Sequence, residues 1–343
     1  MGDPVRWSAA VDDVLRGDIT AGAAYVTPAG GAVVAAVAPC GIAQRDAGTT
    51  GFTTSLGFGK KLERIIRDPR VALAYHARDH GFSVSPAFVL AQGRASVDLT
   101  PSRERLNALT PQVERYLGPV VRGPVWDRLL REYYQERVIV DIAVERVAAW
   151  PDLSAAGDRQ VTGVPWPGDP APQSPPKNGT GPRVDLAKAA ARVAALPHRL
   201  LAYRGADGFP VIVPVHIAGT GAGGLRLVVP AGLLPPGGRR AGLLAHSYRP
   251  QLVGLSTVIF TGWLEAGPDG AVYAPHTSKG FMAPPRKKLL LVSNGLLAKF
   301  GMWQARRRGT AEQLQRLAAG EQAQRLAAGE QARNESASGA PLG

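Results

Sequence analysis

The 343-residue chain has one cysteine, three methionines and 6% aromatic residues, and its 27 carboxylates are outnumbered by 40 lysines and arginines. The single cysteine, Cys40, excludes an intrachain disulfide and any multi-cysteine metal or iron–sulfur site, and its expected role is that of a small buried apolar residue. No run of about 18 uncharged apolar residues occurs. The N-terminal MGDPVRWSAAVDDVLRGD carries acidic residues where a signal peptide needs an apolar stretch, so a cytoplasmic chain without stable membrane insertion is expected. A net charge of +13 would suit a polyanionic partner. Arginine is scattered, however, and no basic block interleaves with stacking aromatics, which argues against nucleic-acid binding. The six histidines show no metal-ligand spacing, so no metal site is expected, and neither a G-x-S-x-G elbow nor a carboxylate pair marks a hydrolase.

What the chain does have is 45% hydrophobic residues, enough for two cores of ordinary size. Residues 151–183 are rich in proline and glycine and lack apolar periodicity, which predicts an extended linker between residues 1–150 and 184–309. Each half opens alike. A short Ala-rich helical segment (Ser8 to Leu15; Asp185 to Leu196) leads into a hairpin, AYVTPAGGAVVAAVA in the first half and LLAYRGADGFPVIVPV in the second. Further on, RVALAYH is echoed by RAGLLAH, placing His76 and His246 at matching positions, and Gly93 and Gly262 follow 17 and 16 residues later. Three matched segments in the same order indicate a duplicated domain, and the β-branched alternation makes it mainly β. The expected fold class is α+β, mainly β with peripheral helices. A strand His is more often structural than catalytic.

Two helices are predicted in the first half, opened by Pro101–Ser102 and by Pro124. PRKKLLLVSNGLLAKFGMWQARRRG (Pro285 to Gly309) predicts a helix that docks with the second barrel or lies on an anionic membrane. Residues 310–343 form a low-complexity tail in which QRLAAGEQA occurs twice. Nine residues rotate a helix by about 900°, so Leu317 and Leu326 cannot share a stripe, and the tail is expected to be partly helical at best and outside the core.

Two glycine motifs are false leads. GTGAGG (Gly219 to Gly224) matches a dinucleotide fingerprint, but a strand follows it instead of a helix, so it predicts a hairpin turn. GFGKK is not a P-loop, because Thr54 stands where the first glycine belongs and Lys61 where Ser or Thr belongs. Another geometry is open to it. A strand ending in GFTTS, a tight turn at Gly57 to Gly59 and a helix starting at KKLERIIRD would bring hydroxyls, two ammonium groups and a helix N-terminus toward one phosphate. A plain glycine turn before a solvated helix fits the same residues.

TTSLGFGKKLERIIRDPRVAL resembles the pyridoxamine 5'-phosphate oxidase-like, FMN-binding split β-barrel family, in which the lysine stands eight residues before the proline, here Lys61 before Pro69. The resemblance implies two tandem split β-barrels. It implies FMN as cofactor, with Lys61 and Lys60 at its phosphate and Thr53, Thr54 and Ser55 offering further contacts. The implied activity is that of a flavin-dependent oxidoreductase acting on a small molecule, with either the tandem barrels forming an intrachain pseudo-dimer or the chain forming a homodimer. An 8-hydroxy-5-deazaflavin coenzyme and a non-catalytic binding protein are the alternatives. Three departures stand out. AVVAAVAPCGIA has no arginine before Arg45, a polar Gln is replaced near Phe88, and the Arg-x-His element of true pyridoxamine phosphate oxidases is missing from VIVDIAVERVAAWP. The second half has GLLPPGGRR where the first has the lysine loop, so at most one full site per chain is expected.

Overall fold

The computed structural model describes residues 3–268 and 270–338, with side chains as far as Gln324. The first half contains α1 (Ala9–Gly17), β1 (Ala21–Val26), β2 (Ala32–Val37), β3 (Ala43–Gln44), β4 (Thr49–Thr54), α2 (Gly59–Arg67), β5 (Arg70–Tyr75), β6 (Phe88–Asp98), α3 (Arg103–Leu117), α4 (Pro124–Gln135) and β7 (Val138–Trp150). Next come β8 (Gln160–Gly163), α5 (Leu186–Ala194), β9 (His198–Arg204), β10 (Pro210–Pro214), β11 (His216–Gly221), β12 (Gly224–Val228), β13 (Gly237–Ser247), β14 (Ser256–Gly267), β15 (Gly270–Met282), α6 (Lys287–Arg307) and α7 (Thr310–Ser338). The fold is α+β, two antiparallel split-barrel sheets with helices at the periphery. Local signals set the helix starts. Ser8 and Ser102 accept from the backbone N–H of Val11 and Arg105, and Pro124 occupies the first turn of α4. GTGAGG closes the β11–β12 hairpin.

The sheets have the same strand order. The first reads β2-β1-β5-β6-β7-β4-β3 with β8 added on β7, and the second reads β10-β9-β13-β14-β15-β12-β11. The pairing register slips at matching places, between Gln92 and Gly93 on β6 and between Thr261 and Gly262 on β14. Both glycines are required by close approach. A Cβ on Gly93 would lie 2.1 Å from the Ala143 carbonyl oxygen, and one on Gly262 would lie 2.1 Å from that of Ala274. Gly93→Ala is therefore expected to cost about 3 kcal/mol, seen as a lower urea midpoint. Gly267→Ala, where a Cβ meets nothing within 4 Å, is the control and should be nearly neutral.

The two halves pack through equivalent strands. β2 lies on β9 and β13, while β10 lies on β1 and β5. Val71 pairs with Gly93 and Ala241 with Gly262, which makes His76 and His246 equivalent by register. Those two residues touch each other, with Nε2 to Nε2 at 2.6 Å. One core spans both halves, joining Ala24, Val34, Phe88 and Trp150 to Leu200, Leu243 and Phe260.

Three features differ from the sequence expectations. Residues 151–183 are extended but packed. β8 pairs with β7, the Arg146 guanidinium donates to Pro165 O at 2.6 Å, and Gln173 donates to Gly30 O at 2.8 Å. α6 docks mainly on the first half, against α4 and the turn Leu56–Phe58, where the sequence predicts docking on the second half. The tail beyond Thr310 is helical, and Leu314 is buried with Leu62 and Ile66 of α2 in the first-half core. Packing against the apolar side of α2 outweighs the weak helix propensity of Gly320. Leu326 lies outside the residues whose side chains are described.

Candidate functional site

Alternation along β4 aims Phe52 and Thr54 to one side and Thr53 to the other. Phe52 and Thr54 are buried, while Thr53 is half-buried and lines a cavity of about 490 Å³. Thr54 pairs with Val138, so Arg137 stands one residue before the first rung of the β4–β7 ladder and donates from Nη2 to Thr53 Oγ1 at 2.6 Å. Its guanidinium also lies 5.5 Å from the Tyr133 ring centre. The rest of the wall comes from far along the chain. Leu106 and Val113 of α3, Leu252 and Leu255 of the second half, and Leu290 and Asn294 of α6 enclose the space. The Lys287 ammonium at its edge donates to Leu117 O.

The charged residues of this lining are Arg103, Arg122, Arg137 and Lys287, without a single carboxylate. Such a donor set, combined with apolar and aromatic walls and a volume in the usual range for a ligand pocket, fits an anionic ligand with a planar hydrophobic part. The backbone around the cavity is strained. Cys40, Gln251 and Leu252 line it, and all three adopt left-handed φ of 48°, 60° and 57°. Strain of about 1–3 kcal/mol per residue persists where the surroundings enforce it, and it clusters at binding sites. The Cys40 thiol is pushed up to about 12 by burial, so it is inert.

The lysine loop contributes less directly than its sequence implies. Of Thr53, Thr54, Ser55, Lys60 and Lys61, only Thr53 lines the cavity. Ser55 accepts from Gly57 N–H at 3.2 Å, and Lys60 is exposed. Lys61 folds its ammonium over Phe52 and Phe58, at 5.3 and 4.9 Å from the ring centres. Burial and then the neighbouring Arg137 pull it down to about 7. Among the described residues no carboxylate pairs with Lys61 or Arg137, so the loop and the cavity share uncompensated positive charge. Arg137 places a guanidinium at the cavity wall beside Thr53. Its position at the junction of α4 and β7 is the only sequence signal for it.

A second cavity of about 310 Å³ is lined by Trp150, Trp166, Tyr203, Asp169 and Leu233. Residues 229–236 pass it without a helix or a lysine. Where the halves meet, His76, His246 and His198 cluster, with ring centres 4.9 to 5.9 Å apart. His76 Nδ1 lies 3.1 Å from Ala74 O, so it carries a proton, and the neutral ring accepts at Nε2 from His246 Nε2–H. This leaves His246 Nδ1 as a bare acceptor with no partner among the described residues. Among the described residues no group of three or more His, Cys, Asp or Glu is placed to hold a metal ion, and no helix is long and apolar enough to cross a membrane.

No protein-family model matches the chain, and neither does any curated protein. Solved structures similar to it include a haem-binding protein from Mycobacterium smegmatis, 14% identical, covering 87% of this chain and 99% of that one with a TM-score of 0.31. A conserved hypothetical protein from Mycobacterium tuberculosis is 23% identical, over 45% of this chain and 90% of the other, with a TM-score of 0.32. A pyridoxamine 5'-phosphate oxidase-related, FMN-binding protein from Nostoc punctiforme is 9% identical, over 58% and 87%, at 0.27. These scores are low, and the fold rests on the strand order of the two sheets.

Proposed function

We propose that the chain binds FMN in the Arg137 cavity and acts as a flavin-dependent oxidoreductase on a small organic molecule. The observation that carries this reading is the cation-only charged lining of the 490 Å³ cavity, beside a segment that resembles a flavin phosphate loop. Arg137 would donate to the phosphate, the Thr53 hydroxyl would join it, and Lys61 would add charge from behind Phe52. The apolar residues of α3 and α6 would pack on the ring and exclude water. When bound, the flavin supplies hydride exchange with the substrate. We read the halves as a duplicated barrel that forms its own pseudo-dimer, with one site per chain because the second loop lacks the lysine.

The test is to mix purified protein with FMN, remove free flavin by gel filtration, and add NADH or NADPH without oxygen. Retained yellow colour, bleached by the nicotinamide, is expected. Protein that stays colourless contradicts FMN binding, and uptake of the deazaflavin coenzyme instead would reassign the cofactor. Colour that no reductant bleaches would make the chain a binding protein.

A further inference from the structure

Helix α6 is apolar on two opposite sides. Leu291, Gly295 and Met302 are buried, the side toward α4. At about 100° per residue, Leu289, Leu296, Phe300 and Trp303 fall within an arc of about 60° on the other side. These four are 52%, 57%, 59% and 51% exposed, and Leu297 beside them is 51% exposed. Phe300 and Trp303 stack at 5.7 Å, and the Arg307 guanidinium lies 5.2 Å from the Trp303 ring centre.

The charge around this stripe has one sign. Arg286, Lys287, Lys288, Lys299 and Arg306 to Arg308 fall between Pro285 and Gly309 with no carboxylate among them. Lys287 is engaged by Leu117 O and Arg306 by Glu136, at 2.6 Å. Lys299 helps to lower the Glu132 carboxyl, and the other four cations have no carboxylate partner among the described residues.

We propose that α6 lies in the plane of an anionic lipid bilayer, with the Leu289–Trp303 stripe at the acyl boundary and the lysines and arginines at the headgroups. A stripe about 21 Å long, flanked by cations and ending in a Trp–Arg pair, matches an interfacial helix, and clustered Lys and Arg are drawn to anionic lipid. A second copy of the chain is the poorer occupant. Its own α6 would bring the same unpaired cations against these, with no carboxylate to offset them. The opposite side of α6 lines the cavity, but the membrane proposal does not depend on what the cavity binds.

The experiment is co-sedimentation of the full chain with vesicles of phosphatidylcholine alone and of phosphatidylcholine containing phosphatidylglycerol. The wild type is expected to pellet only with the phosphatidylglycerol vesicles, and less so at high salt. The double variant Phe300→Ser/Trp303→Ser should partition at least about tenfold less while melting as the wild type does by circular dichroism. Equal pelleting with both vesicle types would overturn the proposal, as would full pelleting of the double variant. Light scattering that finds a dimer in the wild type and a monomer in the double variant would assign the stripe to a second copy.

Discussion

Arg137→Glu is expected to raise the dissociation constant for FMN at least about a thousandfold, and Arg137→Ala about ten- to a hundredfold. The two differ because the guanidinium does two things. It donates to Thr53 Oγ1 at the cavity wall, and it presses on Lys61, whose ammonium it helps to pull down to about 7. Alanine removes one charge-assisted donor, worth about 1.5–3 kcal/mol, but it also relieves Lys61, which then holds its proton more firmly and replaces part of the lost charge. Glutamate has no such relief. It sets a carboxylate where the phosphate would sit and captures Lys61 as an ion-pair partner. Titration calorimetry of both variants with FMN checks the order, and a glutamate variant that binds as tightly as alanine would remove Arg137 from the phosphate. Folding should survive both changes, because among the described residues the side-chain contacts of Arg137 are a hydrogen bond to Thr53 and the Tyr133 ring.

Acid is expected to loosen the contact between the halves through its histidines. Burial holds His76 down to about 3 and His246 well below the usual imidazole range, and burial also lowers His198. A lowered imidazole pKa leaves stability intact above the unfolded value near 6.5. As pH falls below it, the unfolded chain takes up protons that the folded chain refuses, and stability drops by about 1.4 kcal/mol per pH unit for each such group. His76 and His246 together would lose about 4 kcal/mol between pH 7.5 and 5. Nearby groups modify the total. The Asp79 carboxylate lies 3.2 Å from His198 Nε2, and Asp18 is paired with Arg78. Burial raises the Asp18 carboxyl to about 8, which acts in the opposite sense as pH falls. Comparing wild type with His246→Gln cancels the Asp18 contribution. The urea midpoint of the wild type should fall more between pH 7.5 and 5 than that of the variant, by about 2 kcal/mol in free energy. Equal pH dependence in the two proteins would remove the buried imidazoles from the account.

Some of the likeness between the two sheets has a local chemical cause that the sequence carries. Gly93 and Gly262 recur because a Cβ has no room beside the opposite carbonyl at either bulge. His76 and His246 recur at one register position, though their direct contact across the halves could not be read from strand patterns. The hairpins, the helix caps and the glycine turn at Gly219 to Gly224 follow from residue types alone. The cavity does not. Thr53 and Arg137 are 84 residues apart, and only the β4–β7 register brings them together. The α6 wall comes from later still. The tail joins the core through Leu314, just upstream of the nine-residue repeat, with Leu317 and Ala318 packed alongside, and the repeat's own spacing carries no sign of this. The spacing that draws attention to Lys61 does not show the Phe52 and Phe58 rings over which its ammonium lies.

The central claim is that the Arg137 cavity recognises a phosphate-bearing flavin. The most direct measurement is a fluorescence-quenching titration of the purified chain with FMN and, separately, with riboflavin, which has the same ring and no phosphate. Saturation at one FMN per chain, with riboflavin at least about a hundredfold weaker, is the predicted result. Equal affinity for the two flavins, or binding of neither, would contradict it.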